Sequence, residues 1–179
     1  LSMEYTNSYE ELWLDPSNFL MLAQNIKSGF EEYINNYYLN DSINKKYEEL
    51  KIEASNLDAK IKQVVSNSNN KVIIASSDMF KYLEKYDLTV YSLEENDNLT
   101  YKTINDVKTL IQTGQVNYIF VKTNEELNQT IKNLIEGTQI KTLQWHTLSN
   151  ITEIERTENQ NYFSIMNENV ELLKDELYN

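Results

Sequence analysis

The feature that most constrains the fold is an unbroken helical pattern from Asp41 to Val65, here called the rod. Its apolar residues recur at alternating steps of four and three, which places them along one narrow edge of a helix. These residues are Ile43, Tyr47, Leu50, Ala54, Leu57, Ile61 and Val64. At 1.5 Å per residue the rod would be roughly 35–40 Å long. By itself the pattern fits either a coiled-coil strand or a long helix within one chain.

A second helix is predicted just before the rod. Asp15-Pro16 is typical of a helix start, with Asp as N-cap and Pro at the first helical position. Apolar residues at three-four spacing continue to Tyr37, so this helix is predicted to end near Tyr38. Asn40-Asp41-Ser42 would cap the rod, and the two helices would form an αα-hairpin. Residues 1–14 are predicted to be irregular.

At residue 71 the pattern changes to an alternation of strands and helices. Strands are predicted over residues 71–76, 88–93, 117–121 and 140–145. Helices are predicted over residues 78–86, 103–113 and 162–178. Another helix is predicted to begin at a capping box formed by Thr123 and Glu126. This order predicts an α/β fold with a four-stranded, mostly parallel sheet and flanking helices. Its ligand crevice would lie beyond the carboxyl ends of the strands, at residues 76–78, 93–95, 122–124 and 145–149.

The composition argues against several classes of function. A formal charge of −12 disfavours nucleic acid and anionic membrane surfaces as partners. The chain has no Cys and a single His, His146, which excludes a thiolate site or a multi-histidine zinc site within it. Its three glycines exclude a glycine-rich phosphate loop. No apolar run has the length of a membrane span.

The serines after the first predicted strand raise the question of catalysis. Ser76-Ser77-Asp78 and His146 would lie at the same edge of the sheet, as in a hydrolase. No GxSxG elbow surrounds the serines, and Ser-Ser-Asp at a strand-to-helix turn is typical of an N-cap. Glu10-Glu11, Glu94-Glu95 and Asp97 are predicted to face solvent. We therefore predict that the chain is not an enzyme.

Four segments follow one another in an order that is more specific than any of them alone. They are Leu12–Asn25 (LWLDPSNFLMLAQN), Val72–Tyr86 (VIIASSDMFKYLEKY), Ile119–Val121 and Tyr162–Leu177. Together they resemble the C-terminal part of the solute-binding proteins of metal ABC transporters. This is the manganese/zinc receptor family, which includes adhesin-like lipoproteins. The first segment is similar to the family's DPHxWL motif, and the second to a strand–turn–helix with an aromatic F-x-Y pair. The resemblance covers essentially the whole chain.

The resemblance implies a domain organisation and a location. In that family one long helix joins two α/β lobes. Residues 1–40 would be a remnant of the N-terminal lobe, residues 41–67 the linker helix and residues 68–179 the C-terminal lobe. The protein would lie at the extracellular face of the cell membrane, lipid-anchored through a missing N-terminus. Its partners would be an ABC permease and the missing N-terminal lobe, and this segment would not insert into the membrane.

The resemblance also implies positions for metal ligands. The family holds Mn²⁺ or Zn²⁺ between its lobes on four ligands, and the first, a His of the N-terminal lobe, has no counterpart here. The His of DPHxWL corresponds to Glu11, and the His or Glu that ends the first strand corresponds to Ser77. The Asp after the last strand corresponds to His146 or, with manganese-type spacing, to Ser149. Every matched position departs from the family pattern, so tight binding of Mn or Zn to this segment alone is not expected.

Three functions stay open at this point. The chain could belong to a receptor that carries a metal or another solute to a permease. It could be a surface lipoprotein of the same fold that acts in adhesion without binding metal, or an intracellular α/β enzyme or coiled-coil-linked domain. The receptor hypothesis predicts that the rod is a single helix, with Tyr47, Leu50, Leu57 and Ile61 buried within the same chain.

Overall fold

The structure is a computed structural model, and it describes residues 9–178. Residues 1–8 of the segment predicted as irregular lie outside the described residues. The helices are α1 (Glu11–Leu14), α2 (Pro16–Tyr33), α3 (Tyr37–Ser66), α4 (Tyr101–Gln112), α5 (Gln129–Ile135), α6 (Glu153–Thr157) and α7 (Tyr162–Leu177). A 3₁₀ helix spans Asp78–Tyr86. The strands are β1 (Val72–Ala75), β2 (Thr89–Ser92), β3 (Tyr118–Lys122) and β4 (Lys141–Trp145).

The strands form one parallel sheet in the order β2-β1-β3-β4. The chain therefore leaves β1 toward one edge of the sheet and returns to the other side of β1 to form β3. In parallel sheets such a reversal opens a crevice at the carboxyl ends of the two central strands. This confirms the predicted α/β fold and places the candidate crevice between the ends of β1 and β3.

Helices cover both faces of the sheet because the strands bury apolar side chains on both sides. On one face Ile73, Phe120 and Trp145 pack with the second half of α3, the 3₁₀ helix and α7. On the other face Ile74 and Ile119 pack with α4 and α5. Each face thus has its own continuous apolar core.

The rod is confirmed as a single helix, which as α3 runs for 30 residues from Tyr37 to Ser66. Its second half enters the core of the lobe, where Leu57 and Ile61 are buried. The prediction was wrong for Tyr47 and Leu50, which are only half-buried. They line an open groove between α2 and α3, which leaves one side of this seam open to solvent.

The hairpin turn differs from the prediction. The helix α2 ends at Tyr33 rather than near Tyr38, and Asn40-Asp41-Ser42 lies inside α3 instead of capping it. The cap is Asn36, whose side chain accepts a hydrogen bond from the backbone N–H of Leu39. An Asn in extended backbone satisfies a free N–H of the first turn, which allows α3 to begin earlier than the apolar pattern.

Other boundaries moved for similar reasons. The predicted capping box of Thr123 and Glu126 does not start a helix, because α5 begins later, behind the N-cap Asn128. The helix α4 begins at Tyr101 rather than at residue 103, because its N-cap is Thr100. Two short helices were not predicted: α1, in the segment predicted as irregular, and α6, in the segment between β4 and α7.

Replacing Leu57 by Ala tests whether the second half of α3 belongs to the core of the lobe. Leu57 is 2% exposed, and loss of its side chain is expected to lower the free energy of unfolding by about 2–5 kcal/mol. Ile52 lies on the same helix and is 61% exposed, so Ile52→Ala should change it by less than about 0.5 kcal/mol. Urea unfolding of both variants measures the difference, and equal effects would show that α3 does not pack as described.

A buried carboxylate at the opposite end of β3 makes stability depend on pH. Glu176 of α7 is 1% exposed, and it accepts hydrogen bonds from the backbone N–H groups of Asn117 and Tyr118 at 3.1 and 2.9 Å. Burial raises its pKa to about 7, against the smaller opposing effect of those hydrogen bonds. A carboxyl whose pKa is raised by folding stabilises the protein fully below its unfolded pKa, and this contribution is lost as the pH rises toward 7.

The variant Glu176→Gln keeps an acceptor oxygen but removes the titration. We expect its loss of stability between pH 5 and pH 7 to be smaller than that of the wild type by about 1–2 kcal/mol. Urea midpoints at both pH values measure this difference. The substitution Glu53→Gln, which removes an exposed carboxylate of α3, is the matched control. An unchanged slope in Glu176→Gln would refute the assignment.

Candidate functional site

The candidate site lies at the carboxyl edge of the sheet, where β1 and β3 end side by side. The backbone N–H of Ser76 donates to the carbonyl oxygen of Phe120 at 2.8 Å, which extends the pairing by one residue beyond β1. Ser76, Ser77 and Asp78 follow β1, and Lys122 is the last residue of β3. The predicted crevice residues therefore do meet at one edge.

Both serines are engaged by carboxylates from neighbouring loops. Ser76 Oγ donates to Glu125 Oε2 at 3.1 Å, and Ser77 Oγ donates to Glu94 Oε2 at 2.9 Å. Ser77 also caps the 3₁₀ helix, since its Oγ accepts from the N–H of Met79 at 3.3 Å. The N-cap prediction is confirmed. The prediction that Glu94 faces solvent was wrong, because this side chain binds the turn after β1.

Two lysines lie among these carboxylates. Lys122 Nζ is 3.2 Å from Glu125 Oε1 and 4.0 Å from Glu10 Oε1. Lys81 Nζ is 2.8 Å from Asp78 Oδ1, and Asn96 donates to the other oxygen of Asp78 at 3.1 Å. Although burial alone would raise the pKa of Asp78, hydrogen bonds from Lys81, Ser92 and Asn96 hold it below its usual value.

Glu11 faces the same edge from α1. It is 9% exposed, so the prediction that it faces solvent was wrong. Burial raises its pKa to about 7, and the negative charges of Asp78 and Asp15 add to that effect, while Lys81 opposes it. A Glu with such a pKa is only about half ionised at neutral pH.

His146 follows β4 and uses both ring nitrogens within the chain. Nδ1 accepts from the backbone N–H of Leu148 at 3.0 Å, so the proton of the neutral ring lies on Nε2. Nε2 is 3.2 Å from Glu155 Oε1 of α6. Ser149 lies in the same loop, and its hydroxyl is 2.7 Å from that of Thr147.

The loop after β4 is held firmly in place. The side chain of Asn169, 1% exposed on α7, accepts from the N–H of His146 at 2.9 Å and donates to its carbonyl oxygen at 2.8 Å. Trp13 Nε1 donates to the carbonyl oxygen of Thr147 at 2.7 Å. Leu148 has a positive φ of 59°, a conformation that costs an ordinary residue about 1–2 kcal/mol. The anchors on either side offset this strain.

A cluster around Lys85 fixes α1 and α2 over the edge. Lys85 Nζ pairs with Asp15, the N-cap of α2, and lies 3.2 Å from Asp58 Oδ1 of α3. Tyr86 donates its hydroxyl proton to the same oxygen of Asp58 at 2.6 Å. Because Asp15 directly follows α1, this cluster determines where Glu11 lies.

The four positions implied by the resemblance do not form a metal centre. Among residues 9–178, no group of three or more His, Cys, Asp or Glu side chains could hold a metal ion. Ser77, His146 and Ser149 each use their donor atoms within the chain, and Glu11 alone offers a carboxylate. These residues do not fit Zn²⁺ or Mn²⁺, whose ligands must have free lone pairs directed at one point.

Sequence reasoning missed the residues that actually organise this edge. They are Lys81, Lys85, Glu125, Glu155 and Asn169. Lys122 was within the predicted crevice, but its role was not foreseen. A signal was present for Glu155, because Thr152 and Glu155 have the spacing of a capping box, which the structure contains.

Comparison with known proteins identifies the family to which this chain belongs. The model of the family described as zinc-uptake complex component A, periplasmic (ZnuA), matches residues 8–176. The chain belongs to this family, whose members are metal-type ABC solute-binding proteins. No curated protein sequence matches the chain.

Solved structures share the fold at low sequence identity. The metal-dependent lipoprotein YcdH from Bacillus subtilis is 20% identical, with a TM-score of 0.73 over 93% of this chain and 63% of that one. The Zn(II)-bound ZnuA-like domain of Streptococcus pneumoniae AdcA is 19% identical, with a TM-score of 0.72 over 100% of this chain and 67% of that one. This chain therefore spans about two thirds of their length.

A third similar structure is that of a protein with both adhesin and metal-transporting activity. The laminin-binding protein Lmb of Streptococcus agalactiae, described as bifunctional with adhesin and metal-transporting activity, is 19% identical. Its TM-score is 0.75 over 99% of this chain and 68% of that one. No helix within residues 9–178 is long and apolar enough to cross a membrane.

Removing the charge of Lys85 tests how α1 and α2 are held. In Lys85→Met, Asp15 and Asp58 lose their shared cation, and we expect a loss of about 1–2 kcal/mol in unfolding free energy. Lys45 pairs with Asp41 on the exposed face of α3, so Lys45→Met is the matched control and should cost less than about 0.5 kcal/mol. Chemical denaturation compares the two variants. A neutral Lys85→Met would mean that this cluster does not hold the hairpin.

Proposed function

We propose that this chain is part of an extracytoplasmic receptor that delivers a solute to the permease of an ABC transporter. The observation that carries the proposal is the continuous helix α3, which packs on α2 in its first half and enters the lobe in its second half. Such a helix holds two bodies at a fixed orientation, as a receptor with a cleft between two lobes requires.

We further propose the division of the chain that this function implies. Residues 1–40 would complete an N-terminal lobe supplied by the rest of the protein, residues 41–67 would be the linker helix, and residues 68–179 the C-terminal lobe. An open apolar groove of roughly 530 Å³ between α2 and α3 supports this division. It is lined by Phe19, Leu22, Ile26, Phe30 and Leu50 among others, and a packed lobe would remove these side chains from water.

The cargo in this proposal is a substrate and not a resident cofactor. Relatives in the family bind Zn(II), as in the structure of the AdcA domain. Here the corresponding positions carry Glu11, Ser77, and His146 or Ser149, so we propose that the ligand set has changed and that the cargo differs from zinc. A lipid anchor at the outer face of the membrane would keep the receptor near its permease.

A second candidate is a surface protein of the same fold that acts in adhesion. The observation that favours it is that Ser77, His146 and Ser149 are all hydrogen-bonded within the chain, which leaves Glu11 as the remaining ligand among the family's cargo positions. The description of Lmb as a laminin-binding adhesin supplies the ligand to be tried.

Reconstitution distinguishes the two candidates. The full-length protein is added to proteoliposomes that contain the permease and ATPase of a metal-type ABC transporter from the same organism, and ATP hydrolysis is measured. A receptor is expected to stimulate hydrolysis several-fold and to bind the permease, without retention on laminin-coated surfaces. Binding to laminin with no effect on hydrolysis would contradict the receptor proposal and support adhesion.

A further inference from the structure

We propose that two lysines of this chain, Lys122 and Lys81, supply the positive charge at the carboxyl edge of the sheet. The lobe would then need no bound metal, and it would not take Zn²⁺ or Mn²⁺ at the positions that correspond to the family's ligands. The inference concerns the lobe itself and does not depend on delivery of a solute to a permease.

Lys122 joins three segments that carry negative charge or hydrogen-bond donors. Its ammonium lies 3.2 Å from Glu125 Oε1 and 4.0 Å from Glu10 Oε1, while Ser76 donates to the other oxygen of Glu125. The side chains of Lys122 and Glu10 are only 24% and 26% exposed. Partial exclusion from water strengthens such contacts. The ends of β1 and β3 and the turn before α1 are thus linked through one internal cation.

Lys81 likewise pairs with a buried carboxylate, that of Asp78, which also contacts the segment after β2. The side chain of Asp78 is 7% exposed, and Lys81 Nζ lies 2.8 Å from its Oδ1. Asn96 donates to Oδ2, so both oxygens of this carboxylate are satisfied within the chain. A divalent cation at Asp78 would have to displace an ammonium and an amide that are already in place.

The side chains of His146 and Ser77, which could bind a metal, are also hydrogen-bonded within the chain. Freeing Nε2 of His146 for a metal would break its contact with Glu155, and turning the ring would break the hydrogen bond from Leu148. Ser77 is committed to Glu94 and to the cap of the 3₁₀ helix. Neutral hydroxyls are weak ligands for divalent cations, and Zn²⁺ prefers nitrogen and sulfur, which this edge does not offer freely.

Thermal unfolding of the full-length protein tests the inference. We expect the wild-type Tm to change by less than about 1 °C when EDTA, ZnCl₂ or MnCl₂ is added, because nothing in the native state requires a metal. The substitution Lys122→Met removes the ammonium that lies near Glu10 and Glu125. It is expected to lower the Tm by several degrees. Addition of MnCl₂ is then expected to raise the Tm of this variant by about 2 °C or more.

Two further variants show whether this recovery is specific. In Lys122→Met combined with Glu125→Gln, the response to MnCl₂ should disappear because the freed carboxylate is gone. Lys45→Met removes an exposed lysine of α3 and should show neither the loss nor the response. A Lys122→Met protein that does not respond to MnCl₂ would overturn the role assigned to Lys122.

Isothermal titration of the wild type provides a measurement that needs no substitution to fold. We expect no saturable binding of ZnCl₂ or MnCl₂. One ion bound per chain with a Kd below about 10 µM, lost in Glu11→Gln or His146→Ala, would overturn the inference. That result would leave delivery to a permease standing but would refute the proposal that the cargo differs from zinc. Failure of the permease assay would not affect the titration.

Discussion

The architecture depends on α3, whose two halves pack against different parts of the protein. Its second half buries Leu57, Ile61 and Val64 in the core of the lobe, with α7 on one side and the 3₁₀ helix on the other. Its first half packs on α2 and borders an open apolar groove. Since a continuous helix cannot bend freely between the two halves, the core of the lobe fixes where the hairpin projects. The Lys85 cluster then fixes the start of α2, and with it α1 and Glu11, over the edge of the sheet.

At that edge the fold of this family carries polar side chains that are hydrogen-bonded or ion-paired within the chain. Family membership follows from the match over residues 8–176, and the parallel sheet has the switch point at which such folds bind ligands. A fold does not carry a function unless the side chains at the site support it. Here Ser77, His146 and the carboxylates Asp78, Glu94 and Glu125 are paired with one another and with lysines. The edge therefore stays compact through interactions that a metal would have to break.

The sequence predicted well what local pattern determines. The rod, the order of strands and helices and the N-cap at Ser77 all follow from spacing and from capping chemistry, and the structure contains them. The break after Tyr33 was missed because the aromatic residues that follow continue the apolar pattern, whereas Asn36 decides the boundary. The half-exposure of Tyr47 and Leu50 could not be read from spacing, since it depends on how many helices cover the seam.

The candidate site was the part least accessible to sequence reasoning. The burial of Glu11 and the contacts of Glu94 arise from segments far apart in the chain, and paired glutamates in a polar stretch look like solvent-facing residues. The resemblance to the family indicated which positions could bind a metal. It did not indicate whether the side chains at these positions are already hydrogen-bonded within the chain. Only the structure brings Lys122 next to Glu10, which lies more than a hundred residues earlier in the chain.

The most direct measurement of the central claim is anomalous X-ray scattering from crystals of the full-length protein grown with ZnCl₂ and MnCl₂. We predict no anomalous peak within bonding distance of Glu11, Ser77 or His146, with Lys122 Nζ in contact with Glu125. A peak at the zinc or manganese edge about 2.0–2.3 Å from Glu11 and His146 would contradict the account. It would show that the hydrogen bonds of this edge yield to a metal.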